Sequence, residues 1–113
     1  MSLDIVLHTV NGDGKPHAIE AYATNLPHTL RTMADQVMLY EVLWHPWSSH
    51  IDMACDLINS IERGLFLLKK DPERYKVFSA KNDWGNYEQF ISFLEELRDA
   101  CERYPRASVW ASS

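Results

Sequence analysis

A chain of 113 residues, 46% hydrophobic and 24% charged, suits one domain spanning residues 1–113 with the composition of an ordinary globule. Roughly two-thirds of its extended-chain surface can be buried at this length, enough for one core without staples. The net charge of −5 argues against a broad nucleic-acid polymer binder, which needs a basic stripe to displace counterions. No apolar run approaches the roughly 20 residues that span a bilayer, so no membrane partner is expected. Met1-Ser2-Leu3-Asp4 offers no basic n-region or signal-peptide apolar stretch, and the expected location is cytoplasmic.

Leu3 to Thr9 alternates, with Leu3, Ile5 and Leu7 opposite Asp4, Val6 and His8. His17 to Thr24 alternates as well, and Asn11-Gly12-Asp13-Gly14 between them holds two hairpin dipeptides. With Gly12-Asp13 as the loop, His8 pairs with His17; with Asp13-Gly14 it does not. Pro16 lacks an N–H, which suits a sheet edge or an irregular end.

Pro27 fits a first helical turn, and Leu30, Met33, Val37, Tyr40 and Trp44 follow at helical spacing. The pattern predicts one helix over about Pro27–Trp44, with room for a kink, stopped by Pro46. Ser48 or Ser49 can cap the next helix, whose stripe is Ile51, Ala54, Ile58, Ile61, Leu65 and Leu68. Gly64 inside it costs up to about 1 kcal/mol against alanine, which points to a close helix crossing. Asp71-Pro72 ends this helix, and a basic connector to Lys81 has room for one short helical turn.

Tyr87, Phe90, Leu94, Leu97, Cys101 and Tyr104 then draw one apolar stripe down a last helix. Asn86 is placed to cap it, Gln89 stands where a capping box takes Glu or Gln, and Pro105 stops it. Ala107 to Ala111 reads as a final short strand. The expected fold is α+β: an N-terminal β-hairpin, three amphipathic helices and a C-terminal strand, forming a small antiparallel sheet with helices on one face. The strand can pair with the hairpin and bring the chain ends together; the alternative is a three-helix bundle with a loose hairpin.

Several of these segments resemble a family of small bacterial and phage-associated proteins. They are Ala23-Thr24-Asn25-Leu26, the run Leu39-Tyr40-Glu41-Val42-Leu43-Trp44-His45-Pro46, Gly64-Leu65 with Asp71-Pro72-Glu73, and Asn82-Asp83-Trp84-Gly85-Asn86-Tyr87-Glu88, then Ala100-Cys101 and Tyr104-Pro105. The family pattern has a Thr-x-Asn-Leu start, a Tyr-Glu-x-Leu-Trp-x-Pro segment and an Asn-Gly-Trp-Gly-x-Tyr-Glu turn into the last helix. The likeness runs from about Ile19 to Val109. Asp83 stands where the pattern has glycine, and the leading strand is an addition. The resemblance implies a fold and a choice of motifs and assigns no activity.

Chemistry is best placed at the turn from Asn82 to Tyr87. A helix N-terminus presents backbone N–H groups and partial positive charge to an anion. Lys69, Lys70, Arg74, Lys76 and Lys81 lie just upstream, and Trp84 and Tyr87 offer faces for stacking. Together with Asn25, Tyr40, Glu41, Trp44, Lys81, Asn82 and Asn86, they outline a site for a phosphorylated or nucleotide-like small molecule. A plainly structural account has Trp84 filling the core and the lysines forming a solvated face. Glu41 with His45 could do acid–base work if they meet.

The five histidines are scattered without ligand spacing, so no metal or cofactor is expected. The two cysteines lie on core-facing stripes, where buried unlinked thiols are expected rather than a disulfide. The reading is a non-enzymatic binding protein for such a small molecule, in one form a phage-associated sponge for a signalling nucleotide. The alternative is a protein–protein interaction module using an acidic helix face or Trp47 and Trp110. Either Trp could also pack across the two-fold of a homodimer.

Overall fold

The computed structural model describes residues 2–10, 18–79 and 85–113. Strand β1 (Ser2–Val10) pairs with both β2 (Ala18–Pro27) and β3 (Ser108–Ser112), giving an antiparallel sheet of order β2-β1-β3. This is the expected α+β arrangement, and the bundle with a loose hairpin is not formed. Leu3, Ile5 and Leu7 alternate into the core as their period-2 spacing dictates, and Leu26 joins them from β2. Asp4, Ala23, Asn25 and Trp110 point out of the opposite, uncovered face.

The β1–β2 register runs Ser2↔Pro27 to Leu7↔Tyr22, then shifts so that His8 faces Glu20. Ala21 is therefore the extra residue of a bulge. His8 does not pair with His17. The Asn11–Gly14 turn lies outside the described residues. β3 runs against β1 from Asp4↔Ser112 to His8↔Ser108, which brings the two ends of the described chain side by side.

The helix expected over Pro27–Trp44 is corrected to three pieces. Pro27 is the last residue of β2; a 3-10 turn at His28–Leu30 leads into α1 (Arg31–Gln36), and α2 (Tyr40–Trp44) follows a break. The break is a C-terminal reversal around Met38, whose φ is +61°. Met38 N–H donates to Asp35 O at 3.2 Å and Leu39 N–H to Ala34 O at 2.8 Å, the paired bonds of a Schellman motif. Glycine usually holds that left-handed position. Met38 is 61% exposed, so Met38→Gly gives up little burial. It should raise stability by about 0.5–1 kcal/mol, read as a higher urea midpoint at unchanged slope.

The stripe crosses the break undisturbed because Leu30, Met33, Val37 and Trp44 all still reach the core. The reversal drives Leu39 onto Gly64 of α3 (Cys55–Lys70), where an added Cβ would lie 2.5 Å from Leu39 Cδ1. Gly64 thus marks a close crossing, although what crosses is a side chain from the link rather than another helix.

The cap expected at Ser48 or Ser49 is also corrected. Residues Pro46–Ser49 form a 3-10 turn, and α3 begins only at Cys55. Ala54 N–H donates to Ala107 O (2.8 Å) and Cys55 N–H to Pro105 O (2.9 Å), so backbone from the far end of the chain satisfies the helix start. The buried face of α3 is Leu57, Ile61, Gly64, Leu65 and Leu68, with Ile58 only half-buried. A short α4 (Pro72–Lys76) occupies the connector. Then α5 (Tyr87–Arg103) lays Tyr87, Phe90, Leu94, Leu97 and Cys101 against the core, as its stripe requires.

Candidate functional site

The start of α5 is the best-defined corner of the molecule. Asn86 Oδ1 accepts from Gln89 N–H at 2.8 Å, and Gln89 Oε1 accepts from Asn86 N–H at 3.0 Å, closing the expected capping box. Gly85 N–H also donates to Gln89 Oε1, and Tyr87 N–H donates to Ser79 Oγ at 2.9 Å. The amides that could cradle an anion are thus largely turned to the protein's own side chains.

Tyr87 is buried, donates its hydroxyl to Leu68 O at 2.8 Å, and carries Lys76 Nζ 5.6 Å from its ring centroid. Burial raises the hydroxyl pKa above its ordinary value, and Lys76 partly offsets this. Lys76 also approaches Glu73 (3.4 Å) and Glu88 (3.9 Å), while Lys69 approaches Glu95 at 3.8 Å. The basic rim read from the sequence is therefore interleaved with carboxylates. Lys81, Asn82 and Trp84 lie outside the described residues.

Asn25 and Asn86 do come together. They line one open hollow of about 380 Å³ with Gln89, Phe93, Glu88 and Glu96. Asn25 Nδ2 donates to Ser2 Oγ and Asp4 Oδ1, each at 2.7 Å, which turns the amide across the sheet onto β1. Two carboxylates in the lining favour a ligand that donates hydrogen bonds over a bare anion.

Tyr40, Glu41 and Trp44 belong to a separate row of rings. Centroids run His28–Trp44 at 6.2 Å, Trp44–Tyr40 at 5.3 Å, Tyr40–His45 at 5.6 Å and His45–Trp47 at 5.7 Å. Glu41 and His45 meet, with Oε2 to Nδ1 at 3.2 Å, in the open. Trp44 is buried, and its indole N–H has no partner among the described residues. The His28–Leu30 turn separates this row from the Asn25–Asn86 hollow, with His28 against Trp44 and Thr29 and Leu30 against Gly85.

The thiols are unlinked, as expected, but only Cys101 is buried and Cys55 is half-buried; burial with Cys55 nearby pushes Cys101 up to about 12. Among the described residues no three His, Cys, Asp or Glu side chains gather as metal ligands.

A third place was only half visible in the sequence. Trp47 and Trp110, 63% and 62% exposed, line one hollow of about 250 Å³ with Val109 and Ala111. His8 holds Trp110 edge-on at 6.3 Å. Both tryptophans had the signal of isolated large aromatics, but the part played by Val109 and Ala111 depends on β3 being an edge strand. Comparisons of the chain with protein-family models, curated proteins and solved structures found no match.

Proposed function

We propose that this protein is a non-enzymatic interaction module that docks another polypeptide along the β3 edge. The observation that carries the reading is the pair Trp47 and Trp110, both more than 60% exposed beside one apolar hollow. Tryptophan is over-represented among the side chains that dominate interface energetics, whereas exposed indoles add little to a fold. The strand itself, Ser108-Val109-Trp110-Ala111-Ser112, has neither the charge nor the proline with which natural edges discourage pairing. Such an edge suits addition of an extended strand. By contrast, the Glu41–His45 pair is open to solvent and gives weak ground for acid–base chemistry.

Native mass spectrometry of the tagged chain recovered from its own cells tests the proposal. The expected spectrum carries a second polypeptide that the Trp47→Ser/Trp110→Ser variant loses with its far-UV circular dichroism unchanged. A bare monomer, or a second chain kept equally by the variant, would overturn it.

Capture of a nucleotide-like molecule through its hydrogen-bond donors rather than its phosphates is the second reading, supported by the carboxylates of the hollow that Asn25 and Asn86 share. It predicts a small added mass that vanishes on denaturation and is lost in Glu88→Gln/Glu96→Gln.

A further inference from the structure

We infer that the polypeptide docked on β3 is β3 of a second copy, paired antiparallel about a two-fold axis at Ala111; this rests on the docking reading above. The argument begins with the direction of the backbone groups. Val109 N–H donates to Asp52 O at 3.2 Å, away from β1, and Ala107 O accepts from Ala54 N–H on the same side. Amide groups alternate along an antiparallel strand, so Ser108, Trp110 and Ser112 serve β1 while Val109 and Ala111 face outward. Asp52 and Met53 cover this outer side only as far as Val109. Beyond them, the Val109 carbonyl and both backbone groups of Ala111 turn outward with no backbone partner among the described residues.

That pattern fixes the axis. A two-fold at Trp110 would need Val109 N–H, which Asp52 already occupies. A two-fold at Ala111 uses the outward groups alone, with the two Ala111 residues exchanging both of their hydrogen bonds. Side chains also fit this register. Trp110 then faces the partner's Ser112, large against small, and the two indoles become diagonal neighbours, a separation that aromatic side chains bridge.

On the open face, each row reads Asn25, Asp4 and Ser112, then the partner's Trp110, Val6 and Ala23, so no two like charges stand opposite. The incoming strand would also run beside Trp47, which lines the hollow against Val109 and Ala111. The other edge is unsuited to the same use: β2 carries Glu20, the bulge at Ala21 and Pro27. The product is one continuous sheet of order β2-β1-β3-β3-β1-β2.

Ala111→Pro is the discriminating variant. The substitution removes an N–H that points away from β1, so the protomer sheet keeps its ladder. Each dimer loses two hydrogen bonds by symmetry and gains a steric block, which weakens association at least about tenfold.

Sedimentation velocity on purified protein should give a dimer for the wild type and a monomer for Ala111→Pro, with the far-UV spectrum retained. Trp110→Lys, which sets two like charges on the diagonal across the axis and faces only Val6 and the partner's Ser112 in its row, should weaken the dimer too. A monomeric wild type, or a dimer indifferent to both substitutions, would overturn the inference. If the Trp47- and Trp110-dependent capture of a different chain nevertheless persisted, the docking reading would stand and self-pairing alone would fall.

Discussion

Gly85→Ala should destabilise the protein by on the order of 3 kcal/mol, a drop in melting temperature of roughly 12 °C. Two costs combine. The residue has φ +88°, a conformation L side chains rarely adopt, and a Cβ there would fall on the Thr29 hydroxyl, with Leu30 Cγ at 3.5 Å. Gly85 also supplies one of the N–H groups gathered by Gln89, so the strain lands on the cap of α5. A double-mutant cycle with Thr29→Ala should recover about half the loss, since the steric part is relieved and the backbone part is not. Thermal melts of the four proteins measure this. A Gly85→Ala protein within a degree of wild type would contradict the tight seating of Gly85 on the Thr29 and Leu30 side chains.

Phe90→Ala should cost about 3–5 kcal/mol, a large fraction of the total stability of a small domain. Phe90 is fully buried, and its ring stacks on Phe93 at 6.5 Å between centroids. Truncation leaves a cavity among side chains already fixed by the sheet and α3. Trp110→Ser removes a larger ring yet should change stability by less than about 1 kcal/mol, because Trp110 is 62% exposed. Urea unfolding of both variants makes the comparison. A cheap Phe90→Ala would put the core elsewhere, while a costly Trp110→Ser would mean that the indole is kept for folding, removing the main support for a docking edge.

Much of the fold was legible because its causes are local. Alternation in Leu3–Leu7 set the buried face of β1, and Asn86, Gln89 and Pro105 marked both ends of α5 within a few residues of the chain. The misreadings have long-range causes. A 3–4 spacing runs unbroken from Leu30 to Trp44, yet Met38 reverses the backbone so that Leu39 can seat on Gly64. The start of α3 is set by carbonyls of Pro105 and Ala107, which no window around Ser48 could reveal.

The candidate sites follow the same division. Sequence could name Asn25 and Asn86, but only the packing of β2 beside α5 puts them at one hollow. Trp47 and Trp110 stood out as large aromatics, but their common hollow exists because β3 returns to β1 next to the Pro46–Ser49 turn. Glu41 and His45 were four apart on a helical pattern, and their contact at 3.2 Å needed nothing more distant than that.

The return of β3 to β1 also orders events during synthesis. Central strand β1 is made about a hundred residues before its second neighbour, β3, which reaches it through Asp4↔Ser112. At roughly 5–20 residues per second, β1 spends several seconds with one edge bare and Leu3, Ile5 and Leu7 incompletely covered. The beginning of α3 waits on the same late segment for two of its backbone partners. Contacts this far apart in the chain slow folding. The nascent chain therefore passes through an adhesive interval that closes when β3 arrives, and its yield in a cell should depend on holdase chaperones.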